Sequence, residues 1–151
     1  MGDVPTVLRF TVPGEPVAKE RPRAIARVSR AGGKVTAFAR MVTPPKTREY
    51  EERFRLIAQA AVSAARWMWS AKDRFHVVLK VYRTHDGLGG DLDNVIKACG
   101  DAGNGVLWKD DRYVRGIGAM LYQDAHRPRV EVEVRRIAQG AATHNSTIRA
   151  E

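Results

Sequence analysis

The length and charge of the chain narrow its class before any motif is considered. A chain of 151 residues is most simply one domain with a hydrophobic core. Its 26 Lys and Arg residues against 17 Asp and Glu residues give a net charge of +9. This charge favours nucleic acid as the partner, with an anionic membrane as the competing one. No run of 18 apolar residues and no signal-peptide pattern occur, and one cysteine, Cys99, excludes an internal disulfide, so we expect a cytoplasmic protein that does not use a membrane.

The N-terminal third predicts a strand followed by a basic hairpin. Residues 7–12 alternate apolar and polar side chains, which indicates a core strand. Between Lys19 and Lys46 eight Lys or Arg residues stand against one acid, and Gly32-Gly33 suits a hairpin turn. This segment is either a solvated surface or a DNA-binding arm, and cations spaced along extended backbone favour contact with DNA phosphates. The candidate DNA-binding residues are Lys19, Arg21, Arg23, Arg27, Arg30, Lys34 and Arg40.

The remaining elements alternate between helices and strands. A helical pattern covers residues 47–69, and its Ala-rich middle would also suit a dimer contact. A strand is predicted for residues 74–83, and a Gly-rich loop then leads to Asp91. The predictions continue with a short helix over 92–102, a turn over 105–112, and two strands, 115–123 and 127–136, that pair antiparallel with each other. The tail, 137–151, has no periodicity and is expected to be disordered or loosely attached.

The stretch GGDLDNVIKACGD concentrates acids in this basic chain. In extended backbone Asp91 and Asp93 project to the same side and together can hold a hard cation such as Mg²⁺, which needs only one or two carboxylates besides waters and phosphate oxygens. The competing interpretation of these acids is helix capping. A second pair, Asp110 and Asp111, follows a helix and a turn that would return it to the first pair, where the carboxylates would repel one another without a cation or proton between them.

Lys97 lies one helical turn after Asp93. It is either an ion-pair partner of Asp93 or Asp101, or a cation that stabilises charge developing on a scissile phosphate. Asn94 either orients a ligand or caps the helix. Asp101 is expected to pair with Lys97 or to cap the turn.

The motif DLDNVIKACGDAGNGVLWKDDRYV, together with PVAKERPR and TPPKTREYE, resembles the RusA-type Holliday junction resolvases of phages and prophages. The resemblance implies a homodimeric endonuclease that depends on Mg²⁺, with Mn²⁺ as an alternative ion, and that nicks two strands of a four-way DNA junction symmetrically. It implies that Asp91, Asp93 and Asp111 are the catalytic, metal-binding acids and that Lys97 is the catalytic lysine, while Asp110 matches the first member of the second acidic pair. It further implies a role in DNA recombination and repair in the host cytoplasm or nucleoid, without an organic cofactor.

For the fold we expect one α+β domain over residues 1–136, with a small mixed sheet, one long helix and one short helix, assembled as a homodimer. Two other functions stay open. An architectural protein that binds junctions or duplex DNA would share the basic surface, and its acids would only cap a helix. A metal nuclease acting on other branched DNA or on RNA would share the acids and differ in the shape of its substrate.

Overall fold

The computed structural model describes residues 2–86 and 91–138. Its elements are β1 (Val7–Pro13), β2 (Arg23–Ala31), β3 (Lys34–Val42), α1 (Pro45–Ala65), β4 (Arg74–Arg83), α2 (Leu92–Gly103), a 3-10 turn (Asp111–Tyr113), β5 (Val114–Gln123) and β6 (Arg129–Ile137). The predicted α+β class, with a mixed sheet, one long helix and one short helix, is confirmed. Within these two ranges no helix is both long and apolar enough to cross a membrane.

Four strands form one mixed sheet in the order β1-β6-β4-β5. Along β4 the side chains of Phe75, Val77, Leu79 and Val81 alternate with more exposed ones and are buried, as expected for an inner strand with one covered face. β6 runs antiparallel to both of its neighbours, whereas β5 is parallel to β4. A parallel pair requires a crossover connection, and α2 lies in that crossover.

The prediction that the two last strands pair with each other is wrong. Both pair with β4, which lies between them, so the connection over residues 124–128 crosses the end of β4, a distance of about 10 Å. Asp124 fastens this connection, because its carboxylate accepts hydrogen bonds from the backbone N–H groups of His126 and Arg127 and from the side chain of Arg129. Placing the apolar β4 between two neighbours removes more apolar surface from water than leaving it at an edge would.

The two helices pack on one face of the sheet and form the core with it. Phe54 of α1 and Cys99 of α2 are among the buried side chains that meet the strands. α1 ends at Ala65, earlier than the predicted residue 69, because Arg66 adopts the left-handed conformation with φ 54°. Trp67 then turns inward, is buried, and donates its indole N–H to the carbonyl oxygen of Leu107 at 3.0 Å. One core therefore joins α1, α2 and the sheet.

Strands β2 and β3 form a separate two-stranded sheet, and the predicted hairpin is confirmed. Gly32 and Gly33 have φ values of +59° and +77°, which a turn with two left-handed residues requires. Every residue from 20 to 41 is exposed. We call residues 23–42 the basic arm. Because it lies outside the core, the arm offers both of its faces to a partner.

The boundaries near the acidic motif and at the C-terminus differ from those predicted. β4 ends at Arg83, so Asp91 does not directly follow a strand. β6 extends to Ile137, one residue beyond the predicted domain boundary. Part of the Gly-rich loop, 87–90, and most of the predicted tail, 139–151, lie outside the described residues.

Candidate functional site

One open cleft gathers most of the predicted site residues. Residues 16–22, which we call the strap, and Arg23 form one side of it, and Asp91, Asp93, Asn94 and Lys97 form the other. Asp91 immediately precedes α2, and Asp93 and Lys97 follow one turn apart on the helix. The cleft therefore presents two carboxylates and one lysine opposite a basic segment of the chain.

The side chain of Asp91 does not cap α2. Asp91 occupies the N-cap position, and its backbone carbonyl accepts hydrogen bonds from the N–H groups of Asn94 and Val95, but its carboxylate makes no capping bond. Neither Asp91 nor Asp93 forms an ion pair with a described residue. Asp93 lies in the first helical turn rather than in extended backbone as predicted, yet both acids are exposed at the same cleft. Their carboxylates are available to a ligand.

Lys97 makes no ion pair with Asp93 or with Asp101, so the ion-pair interpretation of this lysine is wrong. Asp101 instead accepts a hydrogen bond from the side chain of Lys19. Lys97 is exposed and lines the same cleft as the two acids. Its amino group is therefore placed to meet whatever binds there.

Asp110 and Asp111 are adjacent in sequence but differ in their contacts. The Asp110 carboxylate accepts hydrogen bonds from the backbone N–H and the guanidinium group of Arg112, at 2.9 to 3.0 Å, and these bonds lower its pKa. The carboxylate of Asp111 has no hydrogen bond or ion pair within the part of the chain that the structure describes, and it is exposed. Of the two acids, Asp111 is the one available to a ligand.

Asp111 does not line the cleft of Asp91 and Asp93. It borders a second, mostly apolar cavity that lies between α2 and β5 and includes Ile96 and Gly100. Within residues 2–86 and 91–138, no group of three or more His, Cys, Asp or Glu side chains is placed to hold a metal ion. The structure thus places Asp91 and Asp93 at one cleft and Asp111 at a second cavity that also borders α2.

The donor chemistry of the cleft fits a hard divalent cation. Carboxylate oxygens are the ligands that Mg²⁺ prefers, and this ion commonly uses only one or two of them while keeping waters and substrate phosphate oxygens. Asp91 and Asp93 supply two carboxylates without competing hydrogen bonds from described residues. Two acids in this cleft are therefore sufficient for such an ion when a phosphate is also present.

The predicted DNA-binding residues occupy the strap and the basic arm. Arg21 lies on the strap beside the acids, and Arg23, the first residue of the arm, also lines the cleft. The pairing of β2 with β3 directs Arg23 to the same face of the arm as three further cations, and Arg30 to the opposite face. The three further cations are Arg27, Lys34 and Arg40. One face of the arm is therefore distinctly more basic than the other.

Lys19 has contacts that the sequence did not reveal. Its ammonium group bonds to the Asp101 carboxylate and lies 3.7 Å from Oε1 of Glu51, and its backbone N–H donates to the carbonyl oxygen of Asn94 at 3.0 Å. These partners come from α1 and α2, and no local pattern of residues connects positions 19, 51 and 101. The contacts follow only from the way the helices pack.

Comparison with known proteins identifies the family. A family model described as Endodeoxyribonuclease RusA matches residues 13–135, which include both sides of the cleft. The chain is also similar to "Uncharacterized protein YqaN" of Bacillus subtilis (strain 168), with 28% identity over an alignment of 147 positions, gaps included, that covers 87% of this chain and 97% of that protein. The family match implies a hydrolase of DNA phosphodiester bonds that resolves Holliday junctions in recombination. The chain belongs to the RusA family of endodeoxyribonucleases.

Proposed function

We propose that this protein is a Mg²⁺-dependent Holliday junction resolvase that acts as a homodimer and cuts four-way DNA junctions by paired, symmetric nicks. The observation that carries the proposal is the cleft in which Asp91, Asp93 and Lys97 face the strap without ion pairs to described residues. An exposed carboxylate pair beside a basic surface suits a site where a cation and a phosphate meet.

The basic and the acidic residues of the chain have different roles: the basic ones attract DNA, and the acidic ones bind the cation. The basic arm, with Arg27, Lys34 and Arg40 on one exposed face, attracts the phosphates of DNA, and this attraction is expected to weaken as salt is added. Asp91 and Asp93 would repel a phosphate if they were not neutralised. A divalent cation bound between the acids and the phosphate would remove this repulsion.

Asp91 and Asp93 would hold the ion. Asp111 is proposed as a further ligand because its carboxylate makes no hydrogen bond within the described chain and because the cavity it borders includes Ile96 and Gly100 of α2, the helix that carries Asp93. Since Asp111 does not line the cleft itself, its binding to the ion would require the turn at 111–113 to move toward the cleft. When bound, Mg²⁺ would polarise the phosphate and lower the pKa of a bound water. Lys97 would place its positive charge next to the phosphate and stabilise the negative charge that develops there. Asn94, on the same wall of the cleft, would orient the phosphate or a water through its amide group.

Dimerisation follows from the symmetry of the proposed reaction, because two nicks related by a two-fold axis are most simply made by two copies of one chain. The sequence predicts a contact through α1, but among the large apolar side chains of this helix only Leu56 is exposed, and Glu52 and Arg53 lie one turn before it. No described strand pairs with the outer edge of β5, and this strand carries four exposed apolar side chains, Ile117, Met120, Leu121 and Tyr122, which are 40 to 57% exposed. Apolar edge strands are commonly covered by a partner, so β5 is the better candidate surface.

The proposal is tested by cleavage of a synthetic mobile four-way junction, with Mg²⁺ and with EDTA, mapped on all four strands. We expect paired nicks with Mg²⁺ alone. Asp91→Asn should abolish cleavage and preserve junction binding, because it weakens metal capture and reduces repulsion of the phosphate. Retained Mg²⁺-dependent cutting by Asp91→Asn would contradict the assigned role.

The same assay separates the other two functions. Binding without nicks in both Mg²⁺ and Mn²⁺ would indicate an architectural protein. Equal rates on a four-way junction, a flap and an RNA hairpin would indicate a nuclease without selectivity for junctions.

A further inference from the structure

We infer that Lys19 is a positioning residue that clamps the strap against both helices, rather than a contact to DNA. The inference deepens the proposed function and rests on it, because the strap matters as one wall of the proposed site. It replaces the prediction that Lys19 binds DNA with a role for Lys19, Asp101 and Glu51 together.

Successive residues fasten the strap to the core. Pro16 is buried, and Val17 and Ala18 pack against the hydrophobic core. The N–H of Lys19 donates to the carbonyl oxygen of Asn94 at 3.0 Å, and the N–H of Glu20 donates to the buried hydroxyl of Thr47 at 3.3 Å. The strap is therefore attached to α2 through Asn94 and to α1 through Thr47. Beyond Glu20 the chain is exposed as far as residue 41.

The side chain of Lys19 ties the same two helices together. It bonds to Asp101 of α2 and approaches Glu51 of α1, and its own side chain is only 31% exposed. Oε1 of Glu51 is inaccessible to water and finds no hydrogen-bond partner among the described residues, so the Lys19 ammonium at 3.7 Å is its electrostatic partner. The hydrogen bond to Asp101 raises the pKa of Lys19 and keeps it charged. Without this cation the two carboxylates would face each other uncompensated.

These contacts make Lys19 a poor ligand for phosphate. The carboxylates of Asp101 and Glu51 already compensate the charge of the Lys19 ammonium, so Lys19 would have to give up these partners to bind a phosphate. Arg21 is exposed and has no ion pair with a described residue, and Arg23 has a single 3.5 Å contact with Glu20. The strap holds Arg21 and Arg23 opposite the acids. The backbone bond from Lys19 to Asn94 fixes the strap next to Asp93, and Arg21 follows Lys19 by two residues.

Two measurements on Lys19→Met separate positioning from DNA contact. If the clamp misplaces Arg21 and Arg23 when it is broken, cleavage at saturating junction should fall by about 10-fold or more, as small misplacements of catalytic groups do. The slope of log affinity against log salt, measured in EDTA, should stay unchanged. Loss of a true phosphate contact reduces that slope by about 0.9, which is the result expected for Lys34→Met on the basic arm.

A third measurement does not depend on cleavage. The amide hydrogens of Lys19 and Glu20 should exchange faster with solvent in Lys19→Met and in Asp101→Asn, because both variants release the strap. The double variant should be no more impaired in exchange or cleavage than Lys19→Met alone, since the two residues act through one contact. Lys80→Met removes one positive charge from an exposed side chain on the face of the sheet away from the helices, and it should change neither amide exchange of the strap nor cleavage.

The outcomes separate the clamp from the proposed function. Unchanged amide exchange together with a reduced salt slope in Lys19→Met would overturn the inference and make Lys19 a DNA contact. If the wild-type protein cut no junction, the proposed function would fail, and amide exchange would still decide whether Lys19 clamps the strap. If Lys19→Met did not fold, Asp101→Asn, which changes a partly exposed side chain, would supply the same test.

Discussion

At the scale of single residues, the contacts of each acid distinguish structural from candidate catalytic groups. Asp101 bonds to Lys19, and Asp110 bonds to Arg112. Asp91, Asp93 and Asp111 make no such bond within the described ranges. A carboxylate that is already paired must lose that partner before it can bind a cation, so the unpaired acids are the better ligands.

The second acidic pair provides a direct test of this distinction. Asp111→Asn should reduce Mg²⁺-dependent cleavage by about 100-fold or more, a loss typical of a group that acts at the reacting centre. Asp110→Asn should have a much smaller effect, because Asp110 already bonds to Arg112. Both variants are compared by single-turnover cleavage of the same junction. The reverse order of effects would show that Asp110 is the acid that acts in the reaction.

At the scale of elements, the sequence predicted which segments are strands and helices better than which segments are neighbours. The alternation of Val130, Val132 and Val134 predicted β6, and all three side chains are buried. The same pattern did not show that β6 lies between β1 and β4, because alternation identifies a buried face and does not identify the partner strand. The left-handed Arg66 that ends α1 also had no local signal, since neither Gly nor Pro marks that position.

The free energy of unfolding should depend on pH through Asp124, whose carboxylate holds the connection from β5 to β6. The N–H of Arg127, the side chain of Arg129 and the N–H of His126 bond to its carboxylate and lower its pKa in the folded protein. This stabilisation is complete above the unfolded pKa of about 3.9 and is lost as the pH falls through the lower folded value. Asp124→Asn should therefore unfold at a lower urea concentration than wild type at pH 7.

The difference in urea midpoint between Asp124→Asn and wild type should narrow as the pH falls below about 3.9. Asp3→Asn, at an exposed acid without a hydrogen bond to a described residue, is the matched control and should leave the urea midpoint at pH 7 unchanged. An equal midpoint for Asp124→Asn and wild type at pH 7 would contradict the role of Asp124 in fastening the connection.

At the scale of the whole molecule, the site combines segments that are far apart in sequence. The sequence and the family resemblance predicted Asp91, Asp93 and Lys97 as one group, and all three line one cleft. They did not predict that residues 16–22 form the opposite wall, because that placement depends on contacts with both helices. The expected return of Asp111 to the first pair also depends on packing, and the structure places it at the neighbouring cavity instead.

The proposed homodimer can be tested at two surfaces with matched substitutions. Met120→Glu places a charge on the apolar edge of β5 and should shift the protein from dimer to monomer in sedimentation experiments, because a buried unpaired charge opposes association. Leu56→Glu places the same charge at a similarly exposed position on α1 and should leave the dimer intact. Dissociation by Leu56→Glu alone would show that the contact lies on α1, as the sequence predicts.

The order of strands in the sheet also governs how the protein forms during synthesis. β1 pairs with β6, so β1 cannot form its strand pair until β6, which begins more than a hundred residues later at Arg129, has been synthesised. Among the strands described, only β2 and β3 pair locally, and that hairpin is the basic arm. Pairings between distant segments form slowly because a long loop must close first. Pairing within the arm therefore requires only a short loop to close, whereas the sheet that supports the cleft is completed only when β6 has emerged from the ribosome.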